Sequence, residues 1–225
     1  IQRVGNSMAY LRIGHIVFEQ AWMGRIKTAN PDIKVFDQSK NVDLIAHGQS
    51  STKTGHRPGK GGIDPHIWLS PEAVKIQVKN IKNMLISLDS ANREQYSENC
   101  QSLVAKIDSL DAQIHNSLEG IDNRGFLIFH PALAYFARDY HLEQIAVQHE
   151  GKEPSPARIR NIVDKARQKN IKVVLIQKQF STDEAEALAQ ELEGEVIQID
   201  PLAYNWTDNM SNIAHKMQQA LKGSE

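Results

Sequence analysis

The chain has 225 residues, a formal net charge of −1, a pI near 6.8 and 40% hydrophobic residues. This length is enough for one large domain or for two smaller lobes, each with its own core. The balanced charge gives no basic stripe for nucleic acid, and no apolar run reaches the roughly 20 residues that a membrane-spanning helix needs. The single cysteine, Cys100, excludes an internal disulfide and leaves the cellular compartment open.

The first half of the chain predicts short strands followed by helices. The spacing of apolar residues predicts, in chain order, a strand at 9–14, a helix at 16–26, a strand at 32–39, and helices at 71–88 and 91–118. In the first helix, Phe18, Trp22, Met23 and Ile26 fall on one face. The polar, glycine-rich stretch 47–62 predicts a mobile surface loop.

The two helices at 71–88 and 91–118 have features that predict a capped start and a long linking helix. Ser70 followed by Pro71 and Glu72 predicts an N-cap and a first helical turn. The helix at 91–118 would be about 42 Å long at 1.5 Å per residue, so we expect it to join two lobes as a strut. Its predicted apolar stripe consists of Tyr96, Cys100, Leu103, Ile107, Leu110, Ile114 and Leu118.

The second half alternates strictly between strands and helices. Strands are predicted at 125–130, 144–148, 171–177 and 195–200, and helices at 132–140, 156–168, 182–193 and 207–221. Ser155 is the expected cap of the second of these helices, and Gly194 the expected end of the third. Such alternation predicts an α/β fold with parallel sheets flanked by helices. We expect a first lobe at 1–88, a long linking helix at 89–120 and a second lobe at 121–225.

Three polar residues lie at the ends of predicted strands or just before a predicted helix, where ligands bind in such folds. His130 ends one predicted strand, Asp200 ends another, and His66 precedes a helix start. Because ligands bind at the carboxyl ends of strands in open α/β sheets, these side chains could converge on one cation. Two imidazoles and a carboxylate suit zinc, or a related metal such as manganese or iron. The ordinary alternatives are a loop role for each histidine and a turn initiated by Asp200.

The remaining candidates are weaker. His149 lies in a polar loop with Glu150 and Glu153, and His47 and His56 lie in the glycine-rich loop. His141 is expected to cap a helix in a left-handed conformation, His115 and His215 to be solvated, and Cys100 to be inert packing. No nucleophile elbow, zinc-protease helix, P-loop or dinucleotide fingerprint is present. A zinc hydrolase with an open coordination position remains an alternative.

Four segments together resemble the solute receptors of bacterial zinc and manganese ABC transporters, the ZnuA/TroA-like family. The segments are IDPHIWLSP (63–71), FLIFHPALAYFARDY (126–140), GKEPSPARI (151–159) and VIQIDPLAYN (196–205). The resemblance runs over nearly the whole chain. It implies that His66, His130 and Asp200 are metal ligands, and that a histidine at position 130 favours zinc over manganese. It also implies a periplasmic or lipid-anchored envelope protein.

One part of the family pattern is missing. The family's first histidine lies in an Asp-Pro-His-x-Tyr-Glu-Pro motif ahead of a strand like 9–14, and this sequence has no such motif. We therefore expect a receptor that lacks its first strands and first ligand, with water or a neighbouring side chain such as Glu19 in the open position. The expected fold of the first lobe is incomplete for the same reason.

The resemblance implies capture of Zn²⁺ in the cleft between lobes and delivery to a membrane permease of an ABC transporter, without enzymatic turnover. A Mn²⁺ or Fe²⁺ receptor of the same family is the nearest alternative. A zinc-dependent hydrolase or a metal-dependent adhesin would be alternatives of another class. Nucleic acid is not an expected partner.

Overall fold

A computed structural model describes residues 2–46, 62–148 and 154–223. The predicted loop at 47–62 falls outside the described residues except for Gly62. Outside them as well are His47, His56, His149, Glu150 and Glu153.

The described elements follow the predicted order, except that an unpredicted short helix at Gln2–Gly5 precedes the first strand. The strands are β1 (Ala9–Arg12), β2 (Lys34–Asp37), β3 (Gly125–Ile128), β4 (Glu143–Ala146), β5 (Val173–Gln177) and β6 (Glu195–Ile199). The α-helices are α1 (Gln2–Gly5), α2 (Val17–Ala29), α3 (Pro71–Leu88), α4 (Arg93–Leu118), α5 (Ala134–Asp139), α6 (Pro156–Gln168), α7 (Asp183–Glu191) and α8 (Trp206–Gly223). Short 3-10 turns at Ile67–Leu69 and Ser90–Asn92 precede α3 and α4.

The chain forms two compact units. Of the described residues, the first unit contains 2–46 and 62–108, and the second contains 109–148 and 154–223. The long helix α4 belongs to both, since residues 93–108 lie in the first unit and 109–118 in the second. The α/β class, the parallel sheets and the long helix are as the sequence predicts. Among the described helices, none combines enough length with enough apolar character to cross a membrane.

The first unit is built on a parallel pair of strands. β1 and β2 pair from Ala9 opposite Lys34 to Arg12 opposite Asp37. The Arg12 guanidinium donates to Asp37 Oδ2 at 2.7 and 3.1 Å. The Ser39 hydroxyl and amide donate to Asp37 Oδ1 at 2.6 and 2.9 Å. Burial alone would raise the pKa of Asp37, but these hydrogen bonds and the charge of Arg12 hold it below its ordinary value.

The buried face of α2 differs from the predicted one. Ile26 is buried, but Phe18 is 56% exposed and stacks on the partly buried Trp22, with ring centroids 5.7 Å apart. Glu19 is buried instead, because its carboxylate is satisfied by backbone amide groups at the end of β1. The spacing of apolar residues predicts which face of a helix is apolar. It cannot predict that a charged side chain such as Glu19 is buried because the backbone satisfies its hydrogen bonds.

The helix α3 begins and ends where the sequence predicts. The Ser70 hydroxyl accepts a hydrogen bond from the Ala73 amide, and Pro71 occupies the first turn. On its surface, the Lys75 ammonium donates to Glu72 at 2.6 Å and to Asp108 of α4 at 3.0 Å. Burial alone would lower the pKa of Lys75, but the two carboxylates raise it.

Only the second half of the predicted α4 stripe is buried. Ile107, Leu110, Ile114 and Leu118 are buried, whereas Leu103 is 41% exposed. Cys100 is partly buried and has a free thiol, so the expected tight packing around it is found only in part. The core therefore covers α4 mainly from Ile107 onward.

The second unit is a four-stranded parallel sheet in the order β4-β3-β5-β6. β3 and β5 are buried along their whole length, so both faces of the sheet are covered. On one face, Leu127 and Val174 pack with buried residues of α6 and α7. This arrangement brings the carboxyl ends of all four strands to one edge of the sheet.

Loop and helix ends in this unit explain three sequence features. Ser155 caps α6 by accepting a hydrogen bond from the Arg158 amide, as predicted. His141 follows α5 with φ 55°, which confirms its expected left-handed conformation. After α7, Glu193 rather than Gly194 takes the left-handed conformation, with φ 50°. Gly194 is needed because a Cβ atom there would lie 1.8 Å from the Lys172 carbonyl oxygen.

Candidate metal centre

His66 lies in the loop that precedes α3, and Asp64 holds its ring. The Nδ1 atom of His66 is 2.7 Å from Asp64 Oδ1, and the same oxygen accepts the His66 backbone amide at 2.9 Å. Asp64 is 3% exposed, so this carboxylate is committed to local contacts. A carboxylate that accepts Nδ1–H selects the tautomer whose Nε2 carries the lone pair, which is a common arrangement for metal-binding histidines.

The residues after His66 fix this loop to the core of the first unit. Ile67 and Leu69 are completely buried, and the Gln77 side chain of α3 donates to the Ile67 carbonyl group at 3.1 Å. The Trp68 ring lies against the His66 imidazole at 5.2 Å between centroids. The alternation of apolar residues with His66 and Trp68 thus buries one side of the turn and places the imidazole on the other.

His130 lies two residues beyond the end of β3. Its backbone amide donates to the Gln177 side-chain oxygen at 3.2 Å, and its carbonyl group accepts from the Gln177 side-chain nitrogen at 2.6 Å. The His130 ring stacks on Phe180 with centroids 6.4 Å apart. The histidine is therefore positioned by the end of β5, which is the neighbouring strand in the sheet.

Asp200 follows the last residue of β6. Its Oδ1 atom accepts the Leu202 amide at 3.0 Å, which forms the turn that the Asp-Pro pair predicts. Its Oδ2 atom lies 4.0 Å from the Lys178 ammonium. The Asn209 side chain of α8 donates to the Asp200 carbonyl group at 2.8 Å and anchors the turn to that helix. Asp200 thus has a structural contact for one carboxylate oxygen and a cation near the other.

The three predicted ligands belong to different units. His66 is in the first unit, and His130 and Asp200 are in the second. Within the described ranges 2–46, 62–148 and 154–223, no group of three or more histidine, cysteine, aspartate or glutamate side chains is placed to hold a metal ion. The shared role of His66, His130 and Asp200 as ligands is therefore still a prediction.

Glu19 has a structural role at the end of β1. Its two carboxylate oxygens accept the backbone amides of Ile13 and Gly14 at 2.9 and 2.7 Å. Burial, together with the charge of Glu19 and a hydrogen bond to it, raises the pKa of Tyr10. These contacts explain why Glu19 is buried and do not require a metal ion.

The other described histidines have local surroundings. His215 is exposed on α8, as expected. His115 is about half exposed, and its ring packs edge-on against Tyr140 at 4.7 Å, which solvation alone does not describe. His15, which the sequence analysis did not single out, follows β1 with Nε2 3.5 Å from the Ser39 hydroxyl.

Sequence reasoning missed two residues that position the predicted ligands. Asp64 had a local signal, because it stands two residues before His66 in the quoted motif. Gln177 had none, because it lies 47 residues from His130 and a glutamine at a strand end is unremarkable in sequence. Both side chains are almost completely buried, at 3% and 1% exposure. The structure therefore adds to the sequence analysis two buried polar side chains that contact the predicted ligands.

The fold is that of a two-unit α/β protein, and comparison with known proteins identifies its family. Residues 1–220 match the family model described as ZnuA, zinc-uptake complex component A, periplasmic. The chain belongs to this family.

Individual relatives agree with that assignment. A crystal structure of ZnuA superposes with a TM-score of 0.87 and 36% identity, over 97% of this chain and 81% of that chain. The high-affinity zinc uptake system protein ZnuA of Bacillus subtilis (strain 168) is 29% identical over 159 residues, which cover 68% of this chain and 50% of the relative. The iron-binding protein YfeA of Yersinia pestis is 28% identical over 179 residues, covering 76% of this chain and 58% of the relative. The chain thus spans about half to three fifths of the length of these two curated relatives.

Proposed function

We propose that this protein is the solute-binding component of an ABC metal-uptake transporter and that it captures Zn²⁺. The observation that carries the proposal is the family match over residues 1–220, which includes every predicted ligand. The orientation of His66 by the buried carboxylate of Asp64 supports it, because zinc-binding histidines commonly have such a partner.

In the proposed site, His66 and His130 bind zinc as neutral imidazoles and Asp200 binds as a carboxylate. This set leaves a net charge of +1 on a bound Zn²⁺ ion and one position of a tetrahedral shell for a fourth ligand. A Zn²⁺ ion bound to Asp200 would repel the nearby Lys178 ammonium. Zinc binding would therefore weaken the contact between Lys178 and this carboxylate. The ion is the transported substrate, so the proposed role involves no chemical turnover.

Zinc is favoured over manganese and iron by the donor atoms. Two imidazole nitrogens suit zinc, whereas manganese prefers a larger share of oxygen ligands. The iron-binding relative YfeA makes Fe²⁺ the second candidate, and a competition experiment with both metals decides between them.

The proposed partner is a permease in the membrane, and the proposed location is the periplasm or the outer face of the cell envelope. The family description, with its zinc-uptake complex and periplasmic component, supports both. The proposed domains are residues 1–88 and 121–225, joined by the helical segment 89–120.

The test is metal analysis of the purified protein by mass spectrometry, followed by competitive titration with zinc, manganese and iron. We expect about one zinc ion per chain and preference for zinc. His66→Ala and His130→Ala should each weaken zinc binding at least tenfold, because each removes one ligand.

His215→Ala is the matched control, since His215 is an exposed histidine on α8. Its zinc affinity should equal that of the native protein. Unchanged affinity in both ligand variants would refute the assigned site. Turnover of an ester or peptide that a chelator abolishes would instead indicate a hydrolase, and metal-independent binding to an envelope partner would indicate an adhesin.

A further inference from the structure

Gln177 makes a reciprocal pair of hydrogen bonds with the main chain of His130. Its side-chain oxygen accepts the His130 amide at 3.2 Å and its side-chain nitrogen donates to the His130 carbonyl group at 2.6 Å. Rotating the amide by 180° would set donor against donor and acceptor against acceptor, so the pairing fixes its orientation. Gln177 is 1% exposed, so solvent does not offer replacements for these bonds.

The two hydrogen bonds between Gln177 and His130 continue the pairing of β3 with β5 beyond the last backbone-paired residues. The backbone pairing of β3 with β5 ends at Ile128 opposite Leu175, and the Phe129 amide still donates to the Leu175 carbonyl group at 3.1 Å. Two residues after Leu175, Gln177 lies opposite Ile199 of β6, and its carbonyl group accepts the Phe180 amide at 3.0 Å. The Gln177 side chain therefore replaces the strand backbone as the partner of His130.

The other contacts at this point hold the same short segment. The His130 carbonyl group also accepts the Ala132 amide at 2.7 Å, and the Phe129 carbonyl group accepts the Gln148 amide at 3.0 Å. Together these bonds close a tight turn directly after β3. The side chain of His130 leaves the sheet edge from a main chain that has little freedom to move.

We propose that Gln177 is a positioning residue for metal binding, which fixes the backbone of the ligand His130 at the carboxyl edge of the sheet. This inference rests on the proposed function, and it adds a residue that contacts no metal ion. Partners that hold a metal-binding histidine commonly change metal affinity by about 10- to 100-fold when they are removed. Here the held group is the main chain of the histidine rather than its ring.

The experiment measures zinc affinity by competition with a chelating dye in Gln177→Met and Gln177→Leu. Methionine has a similar length and adapts to the glutamine slot, and leucine is a second apolar replacement. Both remove the two hydrogen bonds to His130 and should weaken zinc binding about tenfold or more. The absorption spectrum of the Co²⁺-loaded variants should also change, because it reports the ligand geometry and not the stability of the fold.

Gln144→Leu is the matched control. The Gln144 side chain of β4 accepts the Leu133 amide at 2.9 Å, so it supports the same turn through a different main-chain group. This variant should keep its zinc affinity within about twofold and its Co²⁺ spectrum unchanged. Thermal unfolding of the metal-free variants shows whether each retains the fold.

The outcomes separate this inference from the proposed function. Native affinity in Gln177→Met and Gln177→Leu, with binding lost in His130→Ala, overturns the role of Gln177 alone. Native affinity in His130→Ala overturns the proposed site itself. An equal loss in Gln144→Leu, or unfolding of both Gln177 variants, would assign Gln177 to general stability and also contradict the inference.

Discussion

At the scale of single residues, the proposed metal binding depends on how the predicted ligands are held. His66 and His130 are held in different ways. Asp64 contacts the ring and amide of His66, whereas the Gln177 side chain forms hydrogen bonds with the backbone of His130. The first contact sets which ring nitrogen carries the lone pair, and the second sets where the side chain starts. Both contacts restrict the histidine before a metal ion binds, so less conformational entropy would be lost on binding.

Asp64→Asn tests the first of these contacts. Asparagine has the same shape but a neutral acceptor, so it holds Nδ1–H more weakly and leaves the imidazole less basic. We expect zinc affinity to fall about tenfold in a competitive titration. Asp32→Asn, at an exposed aspartate of the same unit, is the control and should bind like the native protein. Equal affinity in the two variants would show that Asp64 serves only the turn.

At the scale of elements, the first unit depends on the contact between the ends of β1 and β2. Asp37 connects Arg12 of β1 to Ser39 beyond β2. The side chain of Asp37 is 30% exposed, so its ion pair is partly screened by water. The hydrogen bonds from Ser39, which is itself buried, are the better protected part of this cluster.

Asp37→Asn should lower the free energy of unfolding at pH 7 by about 1 kcal/mol, after allowance for solvent screening. The folded-state pKa of Asp37 is lowered, so its stabilisation is present above the unfolded value near 3.8 and is lost as pH falls through the folded value. The difference between native and variant in urea unfolding should therefore shrink below about pH 4. A difference that stays constant from pH 7 to pH 2 would exclude the ionised carboxylate as its cause.

Among the helices, the sequence predicts the ends of α3 correctly but predicts the buried faces of α2 and α4 only in part. The cap at Ser70 and the end of α3 at Leu88 follow the prediction because capping acts within one turn of the helix. The buried faces of α2 and α4 do not follow it completely, since Phe18 and Leu103 are exposed. Which side of a helix is covered depends on the elements that pack against it, and periodicity alone does not identify them.

At the scale of the whole molecule, metal binding should be linked to folding stability. A ligand that binds only the folded state stabilises it by RT ln(1 + [L]/Kd), which is about 2.7 kcal/mol at 100 times the dissociation constant. We expect zinc at that concentration to raise the free energy of unfolding by this amount, and a chelator to reverse the effect. Denaturant unfolding with and without zinc measures it.

His130→Ala gives the comparison for this linkage. If its affinity is tenfold weaker, the same zinc concentration should stabilise it by only about 1.4 kcal/mol. His215→Ala should gain as much as the native protein. Equal gains in His130→Ala and the native protein would mean that zinc stabilises the fold from another site.

The sequence by itself determined the class of fold, the order of the elements and the candidate ligands. Strand and helix patterns and caps act over a few residues, and the Asp-Pro-His-x-Trp-Leu segment carries both His66 and its partner Asp64. Only the tertiary structure decided that Glu19 is a buried support of β1, that the α4 stripe is buried only from Ile107 onward, and that Gln177 holds His130. These features join residues through burial and through pairing of strands distant in sequence, and no local pattern records which strands become neighbours.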